Sequence, residues 1–202
     1  MWISVDGGIG CGKTTLLNKL SERGFHTLPE PVGAEFGAAG WDDDLKRLYA
    51  GVDGALFNFQ ERVVMERGLD PLVIEFAHDE HVRIIERCPF IQLETFVKAG
   101  DFKPKELAKI EKLYTITMDL WRPKKHIYLR ASPQRSFERM MGRGRAAERD
   151  VTLSYHQQLF DLHEKAFENL KGAGPSVVVL DTDEMDPSQV LSAVLDVLGD
   201  LI

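Results

Sequence analysis

Eight residues near the start, Gly7-Gly8-Ile9-Gly10-Cys11-Gly12-Lys13-Thr14, constrain this chain more than any other feature. They fit the spacing G-x-x-x-x-G-K-[ST], follow the apolar run Trp2 to Val5, and open a helical pattern from Thr14 to Arg23. A strand, a glycine-rich turn and a helix in that order form a phosphate cradle. Backbone N–H groups of the loop point inward at phosphate oxygens, and the helix N-terminus adds a favourable dipole. Lys13 supplies a point charge for the outer phosphates, the Thr14 hydroxyl is suited to ligate Mg²⁺, and Thr15 is expected to join the loop residues in binding phosphate. A random chain of this length would match the spacing on the order of one time in a hundred, and the strand–helix context tightens it further.

The rest of the pattern repeats strand then helix. Four more strands are predicted at Phe25 to Leu28, Val82 to Ile85, His126 to Leu129 and Val177 to Leu180. Helical periodicity runs over Asp43 to Arg67, Lys105 to Trp121, Pro133 to Met141, Leu153 to Leu170 and Pro187 to Leu198. Pro133 and Pro187 sit just inside helix starts, with Ser132 and Asp186 as their N-caps. Leu72 to Phe76 reads equally as a sixth strand or as the tail of the long second helix. Alternation of this kind predicts an α/β fold on a mainly parallel sheet. No repeat or linker divides the chain, so residues 1–202 are expected to form one domain.

Composition removes several functions. With 25 basic and 32 acidic side chains the net charge is −7, a poor balance for binding nucleic acid or an anionic membrane. No apolar run approaches the roughly 20 residues needed to span a bilayer. The opening Trp2-Ile3-Ser4-Val5-Asp6 reads as a strand rather than a leader, and two cysteines, Cys11 and Cys88, suit a reducing compartment. A cytoplasmic protein is expected.

A phosphate cradle alone does not specify a reaction. In an open parallel sheet, ligands bind beyond the carboxyl ends of the strands. The second strand ends in Glu30-Pro31-Val32 and the third in Glu86-Arg87-Cys88, so two carboxylates and an arginine reach the cradle's edge. One carboxylate there can take a proton from an attacking hydroxyl, and the other can help to hold a metal. Six arginines fall from Arg130 to Arg149, and Arg135, Arg139 and Arg143 share one helical face. Gly142-Arg143-Gly144-Arg145 then reads as a basic loop, and residues 142–150 as a lid that clamps a phosphoryl group in transfer. The bland alternative is a solvated face paired with Glu138 and Glu148.

Taken together, the loop, Glu30-Pro31-Val32, Phe59-Gln60, Glu86-Arg87, Ile127-Tyr128-Leu129-Arg130 with Ser132-Pro133, and the arginine-rich lid resemble the deoxyribonucleoside kinase family. The resemblance covers nearly the whole chain. It implies a five-stranded parallel sheet of P-loop kinase type, wrapped by helices and usually dimeric. It also implies transfer of the γ-phosphate of ATP, with Mg²⁺, to a deoxynucleoside 5′-hydroxyl. By that resemblance Glu30 is the general base, Arg87 holds the hydroxyl and the incoming phosphoryl, and Glu86 is the metal-associated acid beside Thr14. Gln60 reads the base, Phe96 stacks on it, and Tyr49 with Glu148 bonds the 3′-hydroxyl. Arg139, Arg143 and Arg145 match the lid arginines, Arg139 being the one near the donor adenine.

Departures from the family pattern fall around the base. Cys88-Pro89 replaces the usual serine start, Gln92 stands six residues after Glu86, and Glu35 replaces a tryptophan whose surface Phe36 or Trp41 can supply. Val63 resembles the pyrimidine branch and Arg67 the deoxycytidine and purine branch. Arg67 lies two helical turns beyond Gln60, and a guanidinium beside the base adds donors only. Purine deoxynucleosides or deoxycytidine are therefore expected over thymidine. The rival enzyme is a nucleoside monophosphate kinase, whose acceptor pocket needs extra basic groups. A non-catalytic nucleotide-binding regulatory module is the rival from another class.

Overall fold

The computed structural model describes residues 1–33, 36–37, 40–68, 81–118, 121, 123–172 and 174–199. Five strands are present: β1 (Trp2–Asp6), β2 (His26–Leu28), β3 (Arg83–Glu86), β4 (Lys125–Arg130) and β5 (Ser176–Asp181). All pair in parallel, in the order β2-β3-β1-β4-β5. The central β1 is buried along its whole length, which is why its sequence reads apolar rather than alternating. The edge strands β2 and β5 are only partly covered.

Helices cover both faces. On one side α1 (Lys13–Ser21) and α8 (Pro187–Gly199) bury Leu16, Leu17, Leu20, Val190 and Val194 against Ile3, Val5 and Ile127. Each such side chain contributes roughly 1.5–3 kcal/mol of transfer free energy. On the other side α7 (Leu153–Lys171) places Ala166, Phe167 and Leu170 against Trp2, Ile85 and Tyr128. The alternation of Trp2 with Ile3 sends neighbouring side chains to opposite layers, as a period of two demands.

The expected helix from Asp43 to Arg67 is two helices, α2 (Asp42–Tyr49) and α3 (Ala55–Gly68). Gly51 and Gly54 adopt φ of 67° and 74°, a left-handed conformation that ends one helix before the next begins. The break falls between Tyr49, at the end of α2, and Gln60, on α3, and both residues line one cavity. After β3, α4 (Pro89–Gln92) runs straight into a π-helical turn, Leu93–Val97, which carries Phe96. The helix α5 (Pro104–Met118) packs on α3. The capping expectations hold: the Ser132 hydroxyl accepts from the Arg135 amide at 3.3 Å, and Asp186 accepts from the Ser188 and Gln189 amides. Helix α6 (Pro133–Arg143) outlasts its predicted end and stops at Gly144, φ 70°, and Ala146–Glu148 is a short 3₁₀ turn within the proposed lid. Leu72 to Phe76 and Glu35 lie outside the described residues. No described helix is long and apolar enough to cross a membrane.

Candidate active site

Parallel pairing brings the ends of β1, β2 and β3 to one edge, with Val5 opposite Glu86 and Leu28 opposite Ile85. The glycine loop leaves β1 there. Gly7 and Gly10 take φ of 146° and 79°, and a Cβ on Gly10 would stand 2.2 Å from the Ser136 carbonyl oxygen. Only glycine fits so close an approach. Lys13 is buried and donates to the Gly8 carbonyl at 2.8 Å; burial and the nearby Arg87 charge lower its pKa. Burial raises the Cys11 thiol pKa, so this loop cysteine holds little thiolate.

Two carboxylates organise the edge. Glu86 accepts from the Thr14 hydroxyl, 3.1 Å to each oxygen, and from the Glu30 amide at 3.2 Å, with Lys13 Nζ 3.9 Å away. Thr14 and Glu86 thus form a hard-oxygen pair beside the loop, the donor type that suits Mg²⁺. Glu30 is chelated by Arg87, whose Nη1 lies 2.6 and 2.8 Å from its two oxygens. Arg87 is the one described non-glycine residue with positive φ, 55°, a conformation costing about 1–3 kcal/mol. That turn brings its guanidinium to Glu30, to the Gly7 carbonyl at 3.3 Å, and over the Phe96 ring at 4.1 Å. Burial opposes its charge, but the carboxylates of Glu30 and Glu86 outweigh this and raise its pKa.

A cavity of about 270 Å³ opens between the loop and helices α2, α3 and α7. Its wall brings together Lys13, Thr14, Glu30, Glu86 and Arg87 with Tyr49, Gln60, Gln92, Phe96 and Glu148. Gln60 Oε1 accepts from the Tyr114 hydroxyl at 3.0 Å and from Gln92 Nε2 at 3.1 Å. Burial raises the Tyr49 and Tyr155 pKa values, that of Tyr155 to about 12, so both hydroxyls stay protonated. A second cavity, about 390 Å³, lies on the far side of the loop and is lined by Gly10, Cys11, Thr15, Arg139 and Thr182. Arg139 reaches it with its guanidinium held by the Thr182 and Asp183 carbonyls at 2.5 and 3.3 Å.

Arg67 needs correction. It does not line the first of these cavities, the one walled by Gln60 and Phe96. Its Nη2 donates to the Glu86 carbonyl at 2.5 Å, its Nη1 is 3.3 Å from Glu30 Oε1, and its guanidinium lies 5.7 Å from the Trp121 ring centroid. Two helical turns put Arg67 on the same side as Gln60, but the partners behind Glu30 capture its long side chain. The expected bias against thymidine loses the donors it relied on. The lid arginines are likewise partnered: Arg143 and Arg145 converge on buried Glu148 at 2.6 and 3.1 Å, and Arg145 also holds the Val32 carbonyl. Arg135 is exposed, 3.7 Å from Glu138.

Several wall residues carry no motif that sequence reasoning could use. Tyr155 lies on the apolar face of α7 and meets the Tyr49 ring edge-on at 6.4 Å. Trp41, one of the two residues expected to supply a tryptophan surface, does line the cavity, anchored to Glu66 at 2.7 Å. Beneath Phe96, buried His163 donates from Nδ1 to the Leu159 carbonyl at 2.7 Å and stacks on Tyr128. Burial lowers its pKa to about 3. Two residues before Tyr128 on β4, His126 pairs with Asp6 at 3.0 Å; burial opposes its charge, yet hydrogen bonds to Asp6 and Cys88 raise its pKa to about 10.

The family model for deoxynucleoside kinase matches residues 3–200. The chain belongs to the deoxynucleoside kinase family. Among curated relatives, the probable deoxycytidine kinase of fowlpox virus (strain NVSL) is 28% identical over 211 residues, 99% of this chain and 87% of its own. The deoxyguanosine kinase of Bacillus subtilis (strain 168) is 27% identical over 191 residues, 90% and 86% of the two chains. The deoxyadenosine kinase from M. mycoides with bound dCTP superposes with a TM-score of 0.78 at 19% identity, covering 99% of this kinase and 100% of that chain, and so shares its fold. The kinase is thus an enzyme of nucleoside phosphorylation on the expected five-stranded parallel sheet.

Proposed function

We propose that this kinase transfers the γ-phosphoryl group of ATP to the 5′-hydroxyl of a deoxyribonucleoside. The observation that carries the reading is the Glu30–Arg87 pair, buried where the nucleoside cavity meets the phosphate loop. In this reading Glu30 takes the hydroxyl proton and Arg87 holds the hydroxyl against the arriving phosphoryl group. Lys13 and the loop amides bind the donor's phosphates, and Arg139 lies beside its adenine in the second cavity. Thr14 and Glu86 would hold Mg²⁺, which neutralises phosphate charge when bound. Arg143 and Arg145 exchange their bonds to Glu148 for the phosphates as the 142–150 segment closes. Tyr49 and Glu148 meet the 3′-hydroxyl, while Phe96 and Gln60 meet the base.

A nucleoside acceptor suits the charge balance better than a monophosphate. Of the arginines lining the nucleoside cavity, Arg87 is already matched by Glu30, and Arg143 and Arg145 by Glu148. A phosphorylated acceptor would need cations beyond these. Both cysteines are free and buried, in keeping with the cytoplasm as the proposed compartment. A homodimer is also proposed: Met65 on α3 and Ile116 on α5, two helices packed together, expose large apolar side chains. Sedimentation of the purified protein tests that state. The activity is tested by measuring ADP release with ATP and Mg²⁺ against a deoxynucleoside and its monophosphate. Faster release with the monophosphate would assign the rival acceptor; none with either would assign the regulatory module.

A further inference from the structure

Three chemistry-bearing side chains that the reaction does not use meet on the sheet face covered by α7. Among the described residues, Asp6, Cys88 and His126 form a group whose ligand atoms, one from each, all lie within 4.8 Å of one another. They come from three segments: the end of β1, the residue that follows the Glu86-Arg87 pair, and β4. None is more than 2% exposed. Asp6 holds the group in order, because its Oδ1 accepts from the Cys88 amide at 3.2 Å and its Oδ2 lies 3.0 Å from His126 Nδ1. Cys88 is in no disulfide, and His126 hydrogen-bonds to it as well as to Asp6. A fourth polar group stands next to them. Ser4 precedes Asp6 by two residues and pairs in register with His126, so its side chain points into the same layer. Its hydroxyl is fully buried and has no hydrogen-bond partner among the described residues. Leaving a buried hydroxyl unpaired costs about 1–3 kcal/mol, a cost that a ligand held at this place would remove.

We propose that Asp6, Cys88 and His126 bind one zinc ion, with the Ser4 hydroxyl, directly or through a water, at the fourth position. The site uses neither Thr14 nor Glu86, the pair suited to Mg²⁺, and it does not depend on the nucleoside reading. The donor set decides the metal. A thiolate is a poor ligand for Mg²⁺ and Ca²⁺, whereas thiolate, imidazole and carboxylate together suit Zn²⁺ in a four-coordinate site. Ligand atoms around a tetrahedral zinc stand about 3–4 Å apart, so atoms already within 4.8 Å need to shift by only about 1 Å. Charge balances as well. Without metal the group holds a carboxylate, a thiol and an imidazolium, which sum to zero. On binding, the thiol and the imidazolium each release one proton to solvent, and Zn²⁺ with carboxylate, thiolate and neutral imidazole again sums to zero. The dry interior therefore gains no net charge. The ion's task is structural. It ties β1 and β4 to the residue directly after Arg87, which is held at φ 55°, and so braces the turn that aims the Arg87 guanidinium.

Because the group is sealed from solvent, metal enters as the strands assemble, and the test loads it during synthesis. The untagged full chain is produced in cells given zinc, freed of surface metal by gel filtration with EDTA, and analysed for metal by plasma mass spectrometry. The expected result is about one zinc per chain. Less than about a tenth of that amount overturns the inference. Cys88→Ser and His126→Gln should each lower the retained zinc by about tenfold or more, since even an outer partner of a ligand is worth about 10–100-fold in affinity. Zinc held undiminished by both folded variants would place the metal elsewhere and overturn the site. Where those variants do not fold, cobalt decides. The chain has two cysteines, so Cys11→Ser leaves Cys88 as its one thiol. Grown with Co²⁺, that variant should show a sulfur-to-cobalt charge-transfer band and the visible absorption of a four-coordinate ion. A cobalt-bearing protein without the charge-transfer band overturns Cys88 as a ligand. No readout uses turnover, so the zinc site and the kinase reading fail separately.

Discussion

Replacing Glu30 by glutamine removes one proton acceptor and one negative charge while keeping the side-chain shape, and the structure says what each loss should do. The carboxylate faces two guanidiniums, Arg87 Nη1 at 2.6 and 2.8 Å and Arg67 Nη1 at 3.3 Å, with about a tenth of its side chain exposed. Breaking a buried ion pair by removing one partner costs about 3–5 kcal/mol. The amide oxygen still accepts one bond from Arg87, and Glu86 stays close by, which places the expected loss near about 3 kcal/mol. For a chain of this size, that corresponds to a fall in Tm of roughly 6–12 °C. Loss of a general base lowers turnover by roughly 10²–10⁴-fold. Thermal unfolding by circular dichroism and steady-state turnover measure the two effects separately. Glu30→Asp separates them further: it keeps the charge, and so most of the stability, but draws the base back by one methylene and should lose turnover. Near wild-type turnover in Glu30→Gln would refute the assignment of Glu30 as base, and an unchanged Tm would refute the stabilising pair.

Three further outcomes follow from other parts of the site. A 2′,3′-dideoxynucleoside should be used less efficiently than its deoxy parent, because Tyr49 and Glu148 lose a partner in a closed site worth about 1–3 kcal/mol; equal kcat/KM would remove that pair from the sugar. Gly10→Ala should lower both Tm and ATP affinity, because the new Cβ meets the Ser136 carbonyl at 2.2 Å and φ is 79°; unaltered nucleotide binding would mean that the loop relaxes freely. Stability should fall on both sides of neutrality through two histidines. His126, raised from 6.5 to about 10, holds its proton better folded, so its contribution is complete below 6.5 and lost as pH rises toward 10. His163, lowered from 6.5 to about 3, stays neutral folded, so its contribution is complete above 6.5 and lost as pH falls toward 3. Urea unfolding across pH 4–9 should show the alkaline slope reduced in His126→Gln and the acid slope reduced in His163→Phe; slopes equal to wild type would refute these assignments.

Much of this enzyme is local and therefore legible in one dimension. The phosphate loop is legible because its geometry depends on consecutive residues: glycines for the turn, Lys13 and Thr14 at the helix start. The five strands and the Ser132 and Asp186 caps are legible for the same reason, since period and capping act within a few residues. Placement of Glu30 and Glu86 at one edge needed only the rule that parallel strands end together. Contacts between distant segments were decided by the tertiary structure. Periodicity carried through Gly51 and Gly54, so one helix was expected where there are two, with Tyr49 at the end of one and Gln60 on the other. Arg67 has the spacing of a base reader, yet a long flexible side chain goes to the strongest partners in reach, and Glu30 and the Glu86 carbonyl lie 37 residues before it and 19 after it. Tyr155 and Tyr114 sit on apolar helix faces with nothing in their neighbours to mark them. The direction of the Gln60 amide belongs to no segment at all: the Tyr114 hydroxyl and the Gln92 amide both donate to its oxygen, and hydrogen-bond polarity passes only through groups that the fold has brought into contact.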